Sequence, residues 1–425
     1  MLQRLVAFAL SQRLFVLLAV LLLIGAGATF LPSLPIDAFP DVSPVQVKII
    51  MKAPGLTPEE VEQRITVPIE LELLGLPNKK ILRSTTKYAL ADVTIDFEDG
   101  TDIYWARNQV SERLSNIARD LPEGVSGGLA PITSPLGEMF MFTIDSSELS
   151  LAERRTLLDW VIRPALRTVP GVADVNALGG YVRAFEIVPL NDALAARGIS
   201  SELFRRAVET NSRNDGAGRV NQGEDSALVR IEGSIRTIDD IKAIVVDTRD
   251  GVPIRVNDVA RVKVGALTRY GAVTENGQGE TVEGLVLGLR GANAGQLVRD
   301  VRAKLEELKP ALPQSVSLNV FYDRSRLVGR AVGTVVRALG EATVLVVVLL
   351  LLFLGNWRAS LVIALSLPLA IVIALLAMRA VGMSANLMSL GGLAIAIGML
   401  IDALVVVVEN IVGNPATTSR AGAFR

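Results

Sequence analysis

Between residues 380 and 401 the chain carries no charge, and then one carboxylate, Asp402, interrupts an apolar run that continues to Val408. An uncharged stretch of that length crosses the roughly 30 Å hydrocarbon core of a bilayer as a single helix. Glu409 follows seven residues after Asp402. At about 100° per residue, a separation of seven returns to nearly the same helix face. Gly391 and Gly398 lie on that stripe too, so one face combines small residues suited to close helix packing with two acids. A carboxylate in lipid is costly to ionise, and intramembrane acids mark proton or ion paths. Asp402 is therefore expected to gain and lose a proton or to hold a cation. The alternative is a protonated Asp that hydrogen-bonds a neighbouring helix. Glu409, nearer the helix end, either shares that task or snorkels into the interface.

Three more apolar runs are visible, over residues 14–31, 335–354 and 360–378, the last with Pro368 in its middle. Arg4 and Arg13 flank the first and place the N-terminus in the cytoplasm. Ala26-Gly27-Ala28 imitates a signal-cleavage site, but the run is long for a signal core, so an uncleaved anchor is expected. Arg337 and Glu341, at i,i+4 spacing, are expected to form a local ion pair. Four spans, one plus three, put both termini inside and the block between residues 32 and 328 outside.

That block alternates two periodicities. Residues 45–52 read as a strand, and Thr57-Pro58-Glu59-Glu60 is a capping box with proline at the first helical position. Strands at 81–87 and 90–97 follow, Asp99-Gly100 turns, Thr101 caps a helix to about Asp120, and a last strand lies near Leu129. This order is a split βαβ, ferredoxin-like unit. A second begins at 138–144, with a helix capped by Ser150 and Glu153 and a strand at 172–178. It resumes at 281–289, a helix at 294–308 and a strand at 316–322, leaving 181–265 as an inserted subdomain.

Among 425 residues there is no Cys and no His. Disulfides, zinc fingers, thiol nucleophiles and His-based catalysis are excluded, and any metal must meet carboxylates, amides, carbonyls or Met sulfur. A formal net charge of −1 gives no nucleic-acid footprint. No nucleophile–base pair or phosphate loop is visible, so an enzyme is not expected.

Several stretches carry a family likeness: Leu34-Pro35-Ile36-Asp37-Ala38-Phe39-Pro40-Asp41, Phe97-Glu98-Asp99-Gly100-Thr101-Asp102, Tyr322-Asp323-Arg324-Ser325-Arg326-Leu327, Ser384-Ala385-Asn386-Leu387-Met388-Ser389-Leu390 and Ile401-Asp402-Ala403 with Val408-Glu409-Asn410. Together with the order of spans they resemble the N-terminal half of a resistance-nodulation-division (RND) exporter. The likeness is to the heavy-metal-efflux branch, since Ala403 stands where the multidrug branch has a second, adjacent acid.

The resemblance implies an α+β membrane protein with four transmembrane helices, two ferredoxin-like periplasmic porter subdomains and an inserted docking subdomain. The implied division is 1–31 for the N-terminus and first span, 32–132 for the first porter subdomain, 133–180 with 266–328 for the second, and 181–265 for the docking insertion. Spans at 329–356, 358–379 and 384–412 follow, and 413–425 is expected to be an unrelated tail. Function by resemblance is proton-driven efflux of heavy-metal cations from the bacterial inner membrane. The implied partners are a periplasmic adaptor, an outer-membrane channel and two further copies in a homotrimer, with no bound cofactor beyond the transported metal and protons.

By the same resemblance Asp402 matches the proton-relay acid and Glu409 a second acid on that helix. Metal identity stays open. Glu138, in Leu136-Gly137-Glu138, matches the divalent-cation exporters, although a strand-end surface acid is the alternative, and Ala396 stands where many of those have an Asp; Asp174, at a loop-to-strand position, is a further candidate. Met388 matches one thioether position of copper and silver exporters, whereas Leu400 and Val407 fill two others. A truncated, non-transporting remnant that binds partners only, or half of a multidrug-type exporter, are the alternatives. The chain alone is not expected to confer metal resistance, because no Lys or Arg lies at the depth of Asp402.

Overall fold

The structure is a computed structural model that describes residues 8–9, 11–30, 36–37, 39–211, 215–222, 225–231, 233–354 and 357–413. In β1 (Val45–Lys52), alternate residues Val47, Ile49 and Met51 are buried, the period-two pattern of a strand with one face on a core. Thr57 then starts a helix through the expected reciprocal box: Thr57 Oγ1 accepts from the Glu60 amide at 3.3 Å, and the Glu60 carboxylate accepts from the Thr57 amide at 2.9 Å. β2 (Lys79–Lys87), β3 (Leu90–Phe97), a helix at Ile103–Ile117 and β4 (Ser126–Leu129) complete an antiparallel sheet in the order β2-β3-β1-β4. At Gly127 an added Cβ would lie 2.1 Å from the Ile50 carbonyl oxygen, so only glycine lets β4 close on β1.

The helix after β3 departs from expectation at both ends. Its N-cap is Asp102, whose carboxylate accepts from the Trp105 amide at 2.7 Å, whereas the Thr101 hydroxyl donates back to the Glu98 carbonyl. A carboxylate at the positive end of the helix dipole outcompetes a hydroxyl one residue earlier. The helix ends at Ile117 rather than near Asp120.

The second unit opens with β5 (Glu138–Ser146), a helix capped by Ser150 and Glu153, and β6 (Val172–Gly179). The chain then leaves for an insertion. This comprises β7 (Arg183–Pro189), β8 (Asp215–Gln222), β9 (Asp225–Ile231), β10 (Val245–Arg249), β11 (Val252–Arg255), β12 (Ala260–Ala266) and short helices around a core of Leu194, Phe204, Ile241 and Val256. After β13 (Val273–Thr274), the unit resumes with β14 (Glu280–Gly288), the helix Ala294–Leu308 and β15 (Val316–Asp323). β14 lies between β6 and β5, and β5 lies between β14 and β15. The strand order therefore repeats that of the first unit, with the insertion between its second and third strands.

Both units share a detail that the sequence reading missed. Their first helices widen by one turn, at Glu62–Thr66 and at Leu158–Ile162, just before Pro68 and Pro164. The Val67 amide reaches back five residues to the Glu62 carbonyl, and the Arg163 amide does the same to Leu158. A proline ring has no N–H and presses on the carbonyl four residues earlier, and a π turn relieves that crowding without ending the helix.

Four apolar helices complete the chain: Arg13–Phe30, Arg324–Leu354, Trp357–Ala380 and Leu387–Gly413. Among the described residues, two segments are long and apolar enough, by length and composition, to cross a membrane, Arg324–Leu349 and Leu387–Val408; Leu14–Phe30 and Ala364–Ala380 are shorter apolar helices. The Trp357–Ala380 helix touches the other three. The helix expected from residue 335 begins at Arg324, because Asp323 caps it: its carboxylate accepts from the Ser325 amide at 2.9 Å. β15 thus runs into this helix with no linker. The expected Arg337–Glu341 pair is not formed; both side chains are exposed, and among the described residues no ion pair joins them. The segment from residue 414 onward lies outside the described residues.

Candidate functional site

The acid-bearing helix is opened by Asn386 in a reciprocal cap. Asn386 Oδ1 accepts from the Ser389 amide at 3.0 Å, and the Asn386 amide donates to Ser389 Oγ at 2.9 Å. Packing then fixes which face turns inward: Ile397 and Ile401 bury against Leu367, with Ile371, Leu393 and Val405 alongside. Asp402, one residue past Ile401, is turned about 100° away from that packed stripe. It is exposed, and Met388, Ile395, Met399 and Val406 are exposed on the same side. Among the described residues, Asp402 has no hydrogen bond or ion pair.

Gly391 and Gly398 do not make the close helix contact expected of them within this chain. A Cβ added at either would meet nothing within 4 Å. The helix instead packs through Leu367, Ile397 and Ile401, and the glycines stay on the open side with the acid. Glu409 lies on the same helix, but its side chain is outside the described residues. Arg379 is occupied elsewhere. It donates to the Phe30 carbonyl at 2.9 Å and sits 5.1 Å from the centre of the Phe30 ring, tying two apolar helices together at their ends.

The proposed metal residues fall in two places. Glu138 and Asp174 occupy strands on either side of β14, where both pair with Leu287. Glu138 is exposed at the start of β5. Asp174 is engaged: it pairs with Arg163 at 3.1 Å and Arg167 at 3.4 Å, and accepts from the Val175 amide at 2.7 Å. Met388 lies apart from both, exposed in the first turn of the acid-bearing helix. Among the described residues, no three Asp or Glu side chains form a group able to hold a metal ion.

Glu283, on β14, was missed, although a lone acid in the apolar string Thr281-Val282-Glu283-Gly284-Leu285-Val286 is a visible signal. Burial pushes its carboxyl above the ordinary value of 4.5, and the like charge of Glu138 adds to this. The folded state therefore holds a proton there more tightly than the unfolded chain. Stability is unpenalised below pH 4.5 and falls as pH rises through the raised value. Glu283→Gln is expected to raise the denaturant midpoint at pH 7 and to change little at pH 4; an equal midpoint shift at both values would contradict this.

A second group was also missed. The Arg324 guanidinium, only 5% exposed, donates to one oxygen of Asp37 from Nη2 at 2.9 Å and from Nε at 3.2 Å. Its Nη1 donates to the Leu136 carbonyl at 2.8 Å. The Asp37 amide in turn donates to the Ala385 carbonyl at 3.0 Å. Next to it, Asp323 pairs with Arg302 of the Ala294–Leu308 helix and accepts from Ser325 Oγ at 2.6 Å. Burial would raise the Asp323 carboxyl, but the Ser325, Arg302 and Arg326 donors outweigh it and hold the group below 3.8.

The model of the AcrB/AcrD/AcrF family matches residues 5–420, reaching past the end of the last helix. The chain is 41% identical over 421 residues to the cobalt-zinc-cadmium resistance protein CzcA of Cupriavidus metallidurans, covering 97% of this chain and 39% of that protein. It is 37% identical over 413 residues to the cation efflux system protein CusA of Escherichia coli K12, covering 96% of this chain and 39% of that one. The crystal structure of a heavy metal efflux pump superposes with a TM-score of 0.88 at 34% identity, over 96% of this chain and 41% of the pump. The chain thus spans about two-fifths of the length of the relatives it matches. It belongs to the AcrB/AcrD/AcrF family of resistance-nodulation-division transporters, in the heavy-metal-efflux branch.

Proposed function

We propose that this chain supplies the proton-handling helix and the cation-admitting outer units of a proton-driven exporter of heavy-metal cations. The observation that carries the reading is Asp402: a carboxylate interrupting an apolar run that is otherwise uncharged from residue 380 to Val408, on a face the chain leaves open. Asp402 takes up and releases the proton, with Glu409 as the second acid toward the helix end. Glu138 and Asp174, on strands flanking β14, and Met388 are the candidate contacts for the cation, and Asp174 would first have to leave its two arginines.

In this reading the four apolar helices all cross the inner membrane, both ends of the chain face the cytoplasm, and the sheets lie in the periplasm as two ferredoxin-like porter subdomains. The insertion serves as the docking element for an outer-membrane channel, a periplasmic adaptor joins the assembly, and the working unit is a homotrimer. The exposed turn at Asp250-Gly251 offers a place to test topology. A reporter active only in the periplasm should work when inserted there, and silence would overturn the orientation.

Transport is tested with everted vesicles from cells making the complete pump that contains this chain. Zinc uptake should depend on an imposed proton gradient and stop with a protonophore. Zinc, cobalt, cadmium and silver uptake all absent, or all insensitive to the protonophore, would overturn the proposal. Made on its own, the 425-residue chain is expected to leave cells as metal-sensitive as before, because no cation among its described residues meets Asp402.

A further inference from the structure

Arg324 stands where three distant parts of the chain meet. Its own position is the first residue of the Arg324–Leu354 helix. Through Asp37 it reaches the segment that follows the first apolar helix, and there Ile36 bridges in parallel to Ala385, one residue before the cap of the acid-bearing helix. Through Leu136 it reaches the loop two residues before Glu138. The motif stretches around Asp37, Arg324 and Asn386 thus prove to be one cluster in space.

We propose that Arg324 is a positioning residue that couples the Leu136–Glu138 loop to the first turn of the acid-bearing helix, so that a displacement of either is felt by the other. The inference deepens the efflux reading, which supplies what is being coupled: the cation-facing strand end and the proton-carrying helix. The chemistry is specific to arginine. A buried guanidinium needs its donors satisfied, and its planar fork serves Asp37 and the Leu136 carbonyl at once, which a lysine ammonium cannot do in the same geometry. Because the Arg324 guanidinium is buried, loosening either of its contacts leaves a buried donor of Arg324 unmet, and the three segments shift together rather than independently. The neighbouring Asp323–Arg302 pair anchors the same helix turn to the Ala294–Leu308 helix, giving the joint a fixed side.

Gly137 gives a way to push on one end of this linkage. An added Cβ there would lie 1.9 Å from Thr133 Oγ1 and 2.9 Å from the Ser134 carbonyl oxygen, so Gly137→Ala must displace the loop beside Leu136. The readout is amide hydrogen exchange over residues 386–390 in the full 425-residue chain in detergent. There the Leu390 amide donates to the Asn386 carbonyl and the Ser389 amide to Asn386 Oδ1. With Arg324 present, Gly137→Ala is expected to speed exchange of these amides on the order of tenfold, the scale of coupling between residues that share a network. In an Arg324→Met background, exchange should already be fast and Gly137→Ala should add nothing. An equal effect of Gly137→Ala in both backgrounds, or parent-like protection in Arg324→Met alone, would overturn the proposal. Should Arg324→Met fail to fold, Asp37→Asn decides the matter: reduced coupling supports it and parent-like coupling defeats it. None of these measurements requires cation or proton movement, so this inference and the efflux reading stand or fall separately.

Discussion

Asp402→Asn is expected to abolish proton-coupled cation uptake in the complete pump while leaving insertion and assembly intact. The amide keeps the size and hydrogen-bonding shape of a carboxylic acid but cannot titrate. A neutral amide in lipid costs less than a charge, so nothing in the substitution opposes insertion. Its position supports the same conclusion, because Asp402 makes no contact among the described residues whose loss could unfold the helix. If alternation between protonated and ionised forms drives the conformational cycle, the asparagine form stays in the protonated arrangement. Glu409→Gln should be milder, since that residue is nearer the helix end. Vesicles in which Asp402→Asn retains more than about a tenth of parent uptake, roughly 1.4 kcal/mol of barrier, would reduce Asp402 to a packing element.

The largest expected loss of stability lies in the second unit. Phe142 is fully buried in β5 and pairs in register with Gly284 of β14, where an added Cβ would sit 2.4 Å from the tip of the ring. The ring occupies the space that a side chain at position 284 would need, and glycine is present because phenylalanine is. Phe142→Ala is expected to cost about 3–5 kcal/mol, a large fraction of the roughly 5–15 kcal/mol that holds a typical domain folded. Gly284→Val alone overpacks the same site and should cost about 1–3 kcal/mol. In the Phe142→Ala background, valine at 284 should restore part of the loss, because it fills the cavity the ring has left. Equilibrium unfolding of the detergent-solubilised chain provides the check. A cost below about 1 kcal/mol for Phe142→Ala, or strictly additive effects of the two changes, would show that ring and glycine are not complementary.

Local signals carried the elements of the two sheet-bearing units well. Val45–Lys52 and Ala294–Leu308 end where alternation or helical period ends, because each buries a single face, and Leu90–Phe97, buried on both faces over its second half, is bounded instead by the polar turn that follows it. Caps were legible where a box was complete, as at Thr57 with Glu60 and Ser150 with Glu153. They failed at Thr101, where Asp102 next door is the stronger acceptor. The start of the Arg324–Leu354 helix was misplaced because its first turns are polar, and hydropathy locates a lipid-facing stretch rather than a helix end. Asp402 was legible because a charge within an apolar run needs no partner to be noticed. The Arg324–Asp37 contact was not, since its members lie 287 residues apart and each reads locally as an ordinary surface charge.

The direct passage from β15 into the Arg324–Leu354 helix gives the chain leverage. At about 1.5 Å per residue, the 31-residue helix is a stiff rod about 46 Å long whose near end is set by the sheet. A tilt of about 5° at Asp323 would sweep its far end through about 4 Å, approaching the 5.4 Å pitch of one helical turn. A rocking motion too slight to be visible in the sheet itself would therefore be magnified at the opposite end of the rod. Two or three flexible residues placed between Asp323 and Arg324 would remove that gain while leaving both elements folded.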